Sequence, residues 1–281
     1  MSWLYVAMAV ASFSMLNFAS KMGPRRGGSS AGLVAVLMVV AAVFTLVGSC
    51  VESSIWSIHV VILGAAAALG GCTAWLLYVK AMQIGHYGFS NAMWSTSFLP
   101  GLIFVTAYWH EPLSFGRMAG IAVLLLAVCL IAASSSPGGG AKVQWGKWAW
   151  MIGVGCLLNS VPLVCQKAVS QMPGAVWPFM GVFYVVGALM MLPLVARSGR
   201  PARSTLVFGC LAGAASAIGN LGTIWAMVGL GANVVSPVTL SGTMVGGVAL
   251  SWVVFREPIR ALGYVGMVME IAGIAMIFLM A

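Results

Sequence analysis

The chain has 281 residues, of which 62% are hydrophobic and only 6% charged; its mean hydropathy is +1.06 and it contains no aspartate. Soluble domains carry roughly 25% charged residues, so this composition excludes one and points to a chain folded inside a bilayer. The net charge of +9 fits basic loops against anionic lipid head groups, and nucleic acid is excluded as a partner because no loop is long enough to interleave basic and aromatic side chains over a surface.

Apolar runs of about 20 residues, the length that crosses a hydrocarbon core about 30 Å thick, recur along the whole sequence. Ten spans are predicted, near 2–20, 31–50, 58–80, 88–109, 114–134, 147–168, 175–196, 205–228, 233–255 and 261–280. The first has no basic residue ahead of it and reads as a retained helix rather than a cleaved signal peptide; it carries Asn17 and ends in a break from Lys21 to Ser30. The third holds Trp75 and Tyr78, and the fourth holds Trp94, Thr96 and Ser97. After the fifth comes Ser-Ser-Ser-Pro-Gly-Gly-Gly at 134–140, followed by Lys142 and Lys147, the least apolar stretch and the expected linker between halves. The sixth places Asn159 and Ser160 just before Pro162, where a disturbed helix frees backbone carbonyls. Asn220 and Trp225 follow in the eighth, Ser236 and Thr239 in the ninth, and Glu270 in the tenth. Gly242 and Gly246 in the ninth form a small-xxx-small pair suited to close helix contact.

The halves echo each other. Residues 85–131 recur, displaced by 146 positions, at 231–277: Gly85 reappears as Gly231, Ser90 as Ser236, Gly101 as Gly247, Glu111-Pro112 as Glu257-Pro258 and Gly120 as Gly266. Lys21 aligns with Lys167 under the same displacement. The expected fold is therefore an all-α integral membrane protein of ten transmembrane helices in two five-helix repeats, 1–140 and 141–281. Five is odd, so the short linker makes the second repeat enter the membrane inverted. Loops after odd-numbered helices hold 11 of the 13 basic residues, leaving only Arg117 and Lys167 on the other side, which puts the odd loops in the cytoplasm and both termini outside.

Six scattered cysteines offer no close pair for a metal, and no cofactor is expected. Trp3, Trp56, Trp109, Trp145, Trp148, Trp150 and Trp177 lie near span ends, where interfacial anchoring accounts for them. Trp75, Trp94 and Trp225 lie deeper and are candidates to line a cavity or to stack on a planar or cationic ligand.

The run Tyr78-Val-Lys-Ala-Met-Gln-Ile-Gly-His-Tyr-Gly-Phe-Ser, then a helix bearing Ser, Thr and Pro, then Trp109-His-Glu-Pro-Leu and a glycine-interrupted helix, resembles the EamA-type repeat of the drug/metabolite transporter superfamily. The second copy, Ala226-Met-Val-Gly-Leu-Gly-Ala-Asn-Val-Val-Ser-Pro-Val with Phe255-Arg-Glu-Pro-Ile and Gly263-Tyr-Val-Gly, resembles it more closely. That resemblance implies alternating access, a central cavity lined mainly by helices 1, 3, 4, 6, 8 and 9, and peripheral helices 5 and 10.

Polar groups at membrane depth need a partner or a wet cavity, so they are the candidate substrate-binding residues: Asn17, Thr96, Ser97, Asn159, Asn220, Ser236 and Thr239, with Trp75, Tyr78, Trp94 and Trp225 as aromatic lining. For each, an interhelical hydrogen bond or plain packing is the competing account. Glu270 is the one acid well inside a span and the candidate for proton coupling; its repeat counterpart is Leu124. Glu111 and Glu257, ahead of helices 5 and 10, read as caps of the helices they precede.

These features predict a secondary transporter of small organic metabolites or amphipathic compounds such as amino acids, nucleosides or organic cations. It would act as an exporter in a bacterial inner membrane, as a monomer or homodimer. No phosphate-binding loop is present to use ATP directly. An intramembrane enzyme is disfavoured because no nucleophile–base pair or metal motif occurs. A non-transporting sensor or scaffold is the remaining alternative.

Overall fold

A computed structural model describes residues 1–52, 54–84, 90, 93–111, 113–134, 144–198, 202–255 and 261–279. The linker at 135–143, Gly85, Pro112 and the Glu257-Pro258 pair lie outside the described residues. Among the described residues the fold is all-helical, without a strand, and comprises ten helices. These are α1 (Ser2–Arg25), α2 (Ser30–Val51), α3 (Ile58–Ile84), α4 (Phe98–Trp109), α5 (Phe115–Ser134), α6 (Trp145–Ser170), α7 (Val176–Ser198), α8 (Arg203–Leu230), α9 (Ala232–Phe255) and α10 (Ala261–Leu279). Seven of them (α1, α2, α3, α6, α7, α8 and α10) are long and apolar enough to cross a bilayer, as expected of an integral membrane protein.

Local chemistry sets the helix ends. α1 takes Lys21 into its last turns instead of stopping before it, because a cation near a helix C-terminus meets the negative end of the dipole. It stops where Gly27 turns left-handed at φ +80°, with the Gly28 N–H donating to the Gly23 carbonyl and the Gly27 N–H to Pro24. Ser29 then caps α2 by accepting from the Gly32 N–H at 3.2 Å.

The fourth span is not one continuous helix. Residues 93–95 are helical, Thr96 and Ser97 form a turn, and α4 begins only at Phe98. Pro100 supplies no N–H for the Thr96 carbonyl, which accepts from Leu99 instead at 3.0 Å, so the chain tightens there.

The chain folds into two compact units, and each draws on both halves of the sequence. The first comprises Met1–Cys72 and Cys165–Gly229, the second Thr73–Val164 and Leu230–Ala281. In the first, α2 and α7 run antiparallel: Gly48 lies against Trp177, Leu46 against Gly181 and Met38 against Gly187. On α8, Gly209 meets Val36 and the Leu33 carbonyl, and Gly213 meets Val40 and the Leu37 carbonyl, both of α2.

In the second unit α5 and α10 run antiparallel, and their contacts come in matched pairs. Gly120 meets the Gly273 carbonyl and Ile277, while Gly266 meets the Ala127 carbonyl and Ile131. Gly120 and Gly266, Ala127 and Gly273, and Ile131 and Ile277 are each 146 positions apart, as are the starts of α2 and α7 and of α5 and α10. Lipid supplies no hydrophobic drive between helices, so backbone approach at glycine, with the dispersion it gains, holds these pairs. Close approach is thus carried by these glycines.

Candidate functional site

In the first unit a hydrogen-bond network joins α6, α7 and α8. Gln166 donates from Nε2 to Asn220 Oδ1 at 2.7 Å, and Asn220 Nδ2 donates to the Tyr184 hydroxyl at 3.0 Å and to the Ser216 carbonyl at 2.9 Å. Tyr184 and Ser216 share a further bond at 2.9 Å. Tyr184 is fully buried, so its hydroxyl has no water and depends on these partners. The sequence reading found Asn220 but missed Gln166, Ser216 and Tyr184. Their signal was available: a glutamine and a tyrosine hydroxyl within apolar spans need partners as much as an asparagine does.

Trp225 belongs to the same unit and lies 5.4 Å from Tyr5 and 5.9 Å from Trp177, ring centroid to centroid. Asn17, also here, is half-buried on α1 and makes no hydrogen bond among the described residues. Lys167, which the charge count sets with Arg117 opposite the other basic residues, is buried on α6, whereas Lys80 is exposed.

The second unit holds the other candidates. Asn159 donates from Nδ2 to the Ser97 hydroxyl at 2.8 Å, tying α6 to the break ahead of α4. Thr96 turns its hydroxyl back to the Met93 carbonyl at 2.7 Å. Tyr78 and Trp94 stack on each other at 4.4 Å, and Trp75 meets them at 5.3 and 5.9 Å. Tyr78 and Trp94 are buried in a cluster with Ala74, Ala81, Trp148 and Ile152. Trp148, expected at the membrane interface, is a correction: it lies one turn into α6, is buried, and donates its indole N–H to Ser90 at 2.8 Å.

Several buried polar atoms in this unit have no hydrogen-bond partner among the described residues: the hydroxyls of Ser236, Thr239 and Ser241 on α9, the Trp75 indole nitrogen, and both carboxyl oxygens of Glu270 on α10. Ser236 and Thr239 are one turn apart and share a helix face. Glu270 falls on the stripe Gly266, Glu270, Gly273, Ile277 that α10 turns toward α5, and it is fully buried.

At the helix that Glu111 precedes, the Ser114 hydroxyl accepts from the Arg117 N–H at 3.3 Å, and Glu111 itself reaches a different helix. Its carboxylate accepts from the backbone N–H groups of Ala232 at 3.3 Å and Asn233 at 3.1 Å, at the start of α9. A single residue, Gly231 at φ +79°, separates α8 from α9, and the carboxylate satisfies the donors exposed by so abrupt a restart.

The class defined by these helices and buried polar groups is an all-helical integral membrane protein. No family model matches the sequence, and no curated protein matches it. A solved structure known only as "Crystal structure of protein" is similar over 100% of this chain and 99% of its own, with a TM-score of 0.78 at 15% sequence identity. That likeness is one of fold alone.

Proposed function

We propose that the chain is a secondary transporter of small organic metabolites, built as two inverted five-helix repeats, 1–140 and 141–281, in the manner of the drug/metabolite transporters its sequence resembles. The observation that carries this reading is the set of polar atoms in the second unit that are buried without a partner among the described residues. An unpaired buried hydroxyl costs about 1–3 kcal/mol, and Ser236, Thr239 and Ser241 bear that cost together on one helix. Such groups persist when a ligand or water completes them at some stage of a cycle. The repeat reading is supported by the matched glycine contacts of α5 and α10 and by the antiparallel course of α2 on α7, since equivalent helices of inverted repeats run in opposite directions.

The candidate substrate contacts are, in the first unit, Asn17, Asn220 and Trp225, and in the second, Asn159, Thr96, Ser97, Ser236, Thr239, Trp75, Tyr78 and Trp94. The substrates proposed are amino acids, nucleosides or organic cations, exported across a bacterial inner membrane by a monomer or homodimer; the buried Lys167 is the one feature among the described residues that would suit an anionic compound instead. Glu270 would couple this to protons.

Reconstitution into liposomes tests the reading with labelled amino acids, nucleosides, organic cations and sugar phosphates, each with and without a pH gradient. Saturable flux lost in Ser236→Ala/Thr239→Val supports it. Absence of flux for every class, from folded protein, rejects transport in favour of a sensor or scaffold.

A further inference from the structure

We infer that the ends of α1, α2, α7 and α8 in the first unit form a binding site for small quaternary or tertiary ammonium compounds. Trp177, at the start of α7, donates its indole N–H to Oε2 of Glu52, the residue that closes α2. Its ring packs against Gly48, where any Cβ would collide with it, so the glycine is what lets the indole reach the carboxylate. Trp225 meets Trp177 edge to face at 5.9 Å and 70°, and Tyr5 tilts against Trp225 at 5.4 Å and 50°. Phe44 closes the row beside Trp177 at 6.2 Å.

Three features distinguish this cluster from an ordinary interfacial belt. Tyr5, Trp177 and Trp225 are half-buried and none is stacked face to face on another, so their π-faces are not used up by each other. The carboxylate is exposed, and among the described residues its second oxygen makes no hydrogen bond after the indole has oriented the first. The helix ends concerned carry no lysine or arginine: there is none in 1–10, 48–57, 171–180 or 221–230 of a chain that has 13. A carboxylate amid tilted aromatic rings, at a spot without lysine or arginine in a protein of net charge +9, suits an alkylammonium, which is held by π-faces and a counter-charge without needing hydrogen bonds. The inference rests on the transporter reading for its purpose, since it selects organic cations among the proposed substrates and makes this cluster their point of capture.

Choline and its uncharged isostere 3,3-dimethylbutanol test it by titration of the full-length protein in nonionic detergent, followed through tryptophan fluorescence and calorimetry. Choline is expected to bind saturably, and the isostere about tenfold more weakly or not at all. Glu52→Gln should weaken choline about tenfold, Trp225→Leu should weaken it comparably, and Glu52→Asp should restore part of the loss. Unchanged thermal midpoints would establish that these variants are folded. Absence of wild-type binding, equal binding of the isostere, or unaltered affinity in Glu52→Gln would overturn the site and leave only an interfacial aromatic belt. Liposome flux of neutral amino acids, measured in parallel, separates the two readings: flux without choline binding keeps transport and removes this site, whereas choline binding without flux of any class does the reverse.

Discussion

At the scale of single residues, the polar side chains divide into those with partners and those without, and the two groups should respond oppositely to substitution. Tyr184 is the hub of a network in which nearly every donor has an acceptor. Tyr184→Phe leaves the Ser216 hydroxyl with only a long 3.5 Å bond from Asn220 Nδ2 in a dry core, and should destabilise by about 1–3 kcal/mol. Tyr184→Phe combined with Ser216→Ala should cost less than the two single losses added, because the second change removes the group that the first left poorly paired. Thermal unfolding of the three variants measures this. Glu270 has no partner among the described residues to lose, and its repeat counterpart is Leu124, which packs against Gly273 in the same helix pair. Glu270→Leu should therefore raise the thermal midpoint while abolishing any dependence of flux on a pH gradient. A lowered midpoint would mean the carboxyl is bound by something that holds it in place, and the coupling role would then lose its rationale.

At the scale of helices, the antiparallel pair of α5 and α10 gives a test in which each variant has an internal control. A Cβ at Gly266 would lie 3.0 Å from the Ala127 carbonyl, and one at Gly120 would lie 3.3 Å from the Gly273 carbonyl. Backbone cannot rotate aside as a side chain can, so Gly266→Ala should destabilise more than Gly120→Ala. Valine at either site should cost about 1–3 kcal/mol through overpacking. Ile131→Ala should relieve part of the Gly266 defect and Ile277→Ala part of the Gly120 defect, but not the reverse, as read by thermal midpoint. Helices were also the most legible feature of the sequence. Nine spans start and stop near their predicted places because glycine, proline and charge interrupt the apolar runs there. The fourth was misjudged because a missing N–H at Pro100 leaves no trace in hydrophobicity. Site residues were harder to read. Asn159 and Asn220 stood out as amides in hydrocarbon, yet their partners Ser97, Gln166 and Tyr184 lie 62, 54 and 36 positions away, and no local pattern encodes such pairings. Trp148 was misplaced for a related reason: proximity to a helix end fixes depth in the membrane but not the face from which the ring projects.

At the scale of the whole molecule, the sequence halves and the compact units are different divisions of the same chain. Each unit takes helices from both halves: α2 packs on α7 in one, and α5 packs on α10 in the other. A half expressed alone would leave the glycine faces of two helices uncovered, and membrane helices bind each other mainly through such close surfaces. Co-expression of 1–140 and 141–281 as separate chains should therefore yield fragments that purify together through a tag on either one, while each expressed alone should be degraded or aggregate. On α3 of the first unit, a Cβ at Gly64 would meet Val182 and the Phe179 carbonyl of α7, so Gly64→Leu together with Gly120→Leu obstructs one contact in each unit and should reduce the co-purified fraction far more than either change does singly, because each unit alone still offers an interface between the fragments. Recovery of a monodisperse, thermally cooperative 1–140 fragment without its complement would contradict this. It would mean that a half folds on contacts within itself, and the matched pairing of α5 with α10 would then be a consequence of assembly rather than its cause.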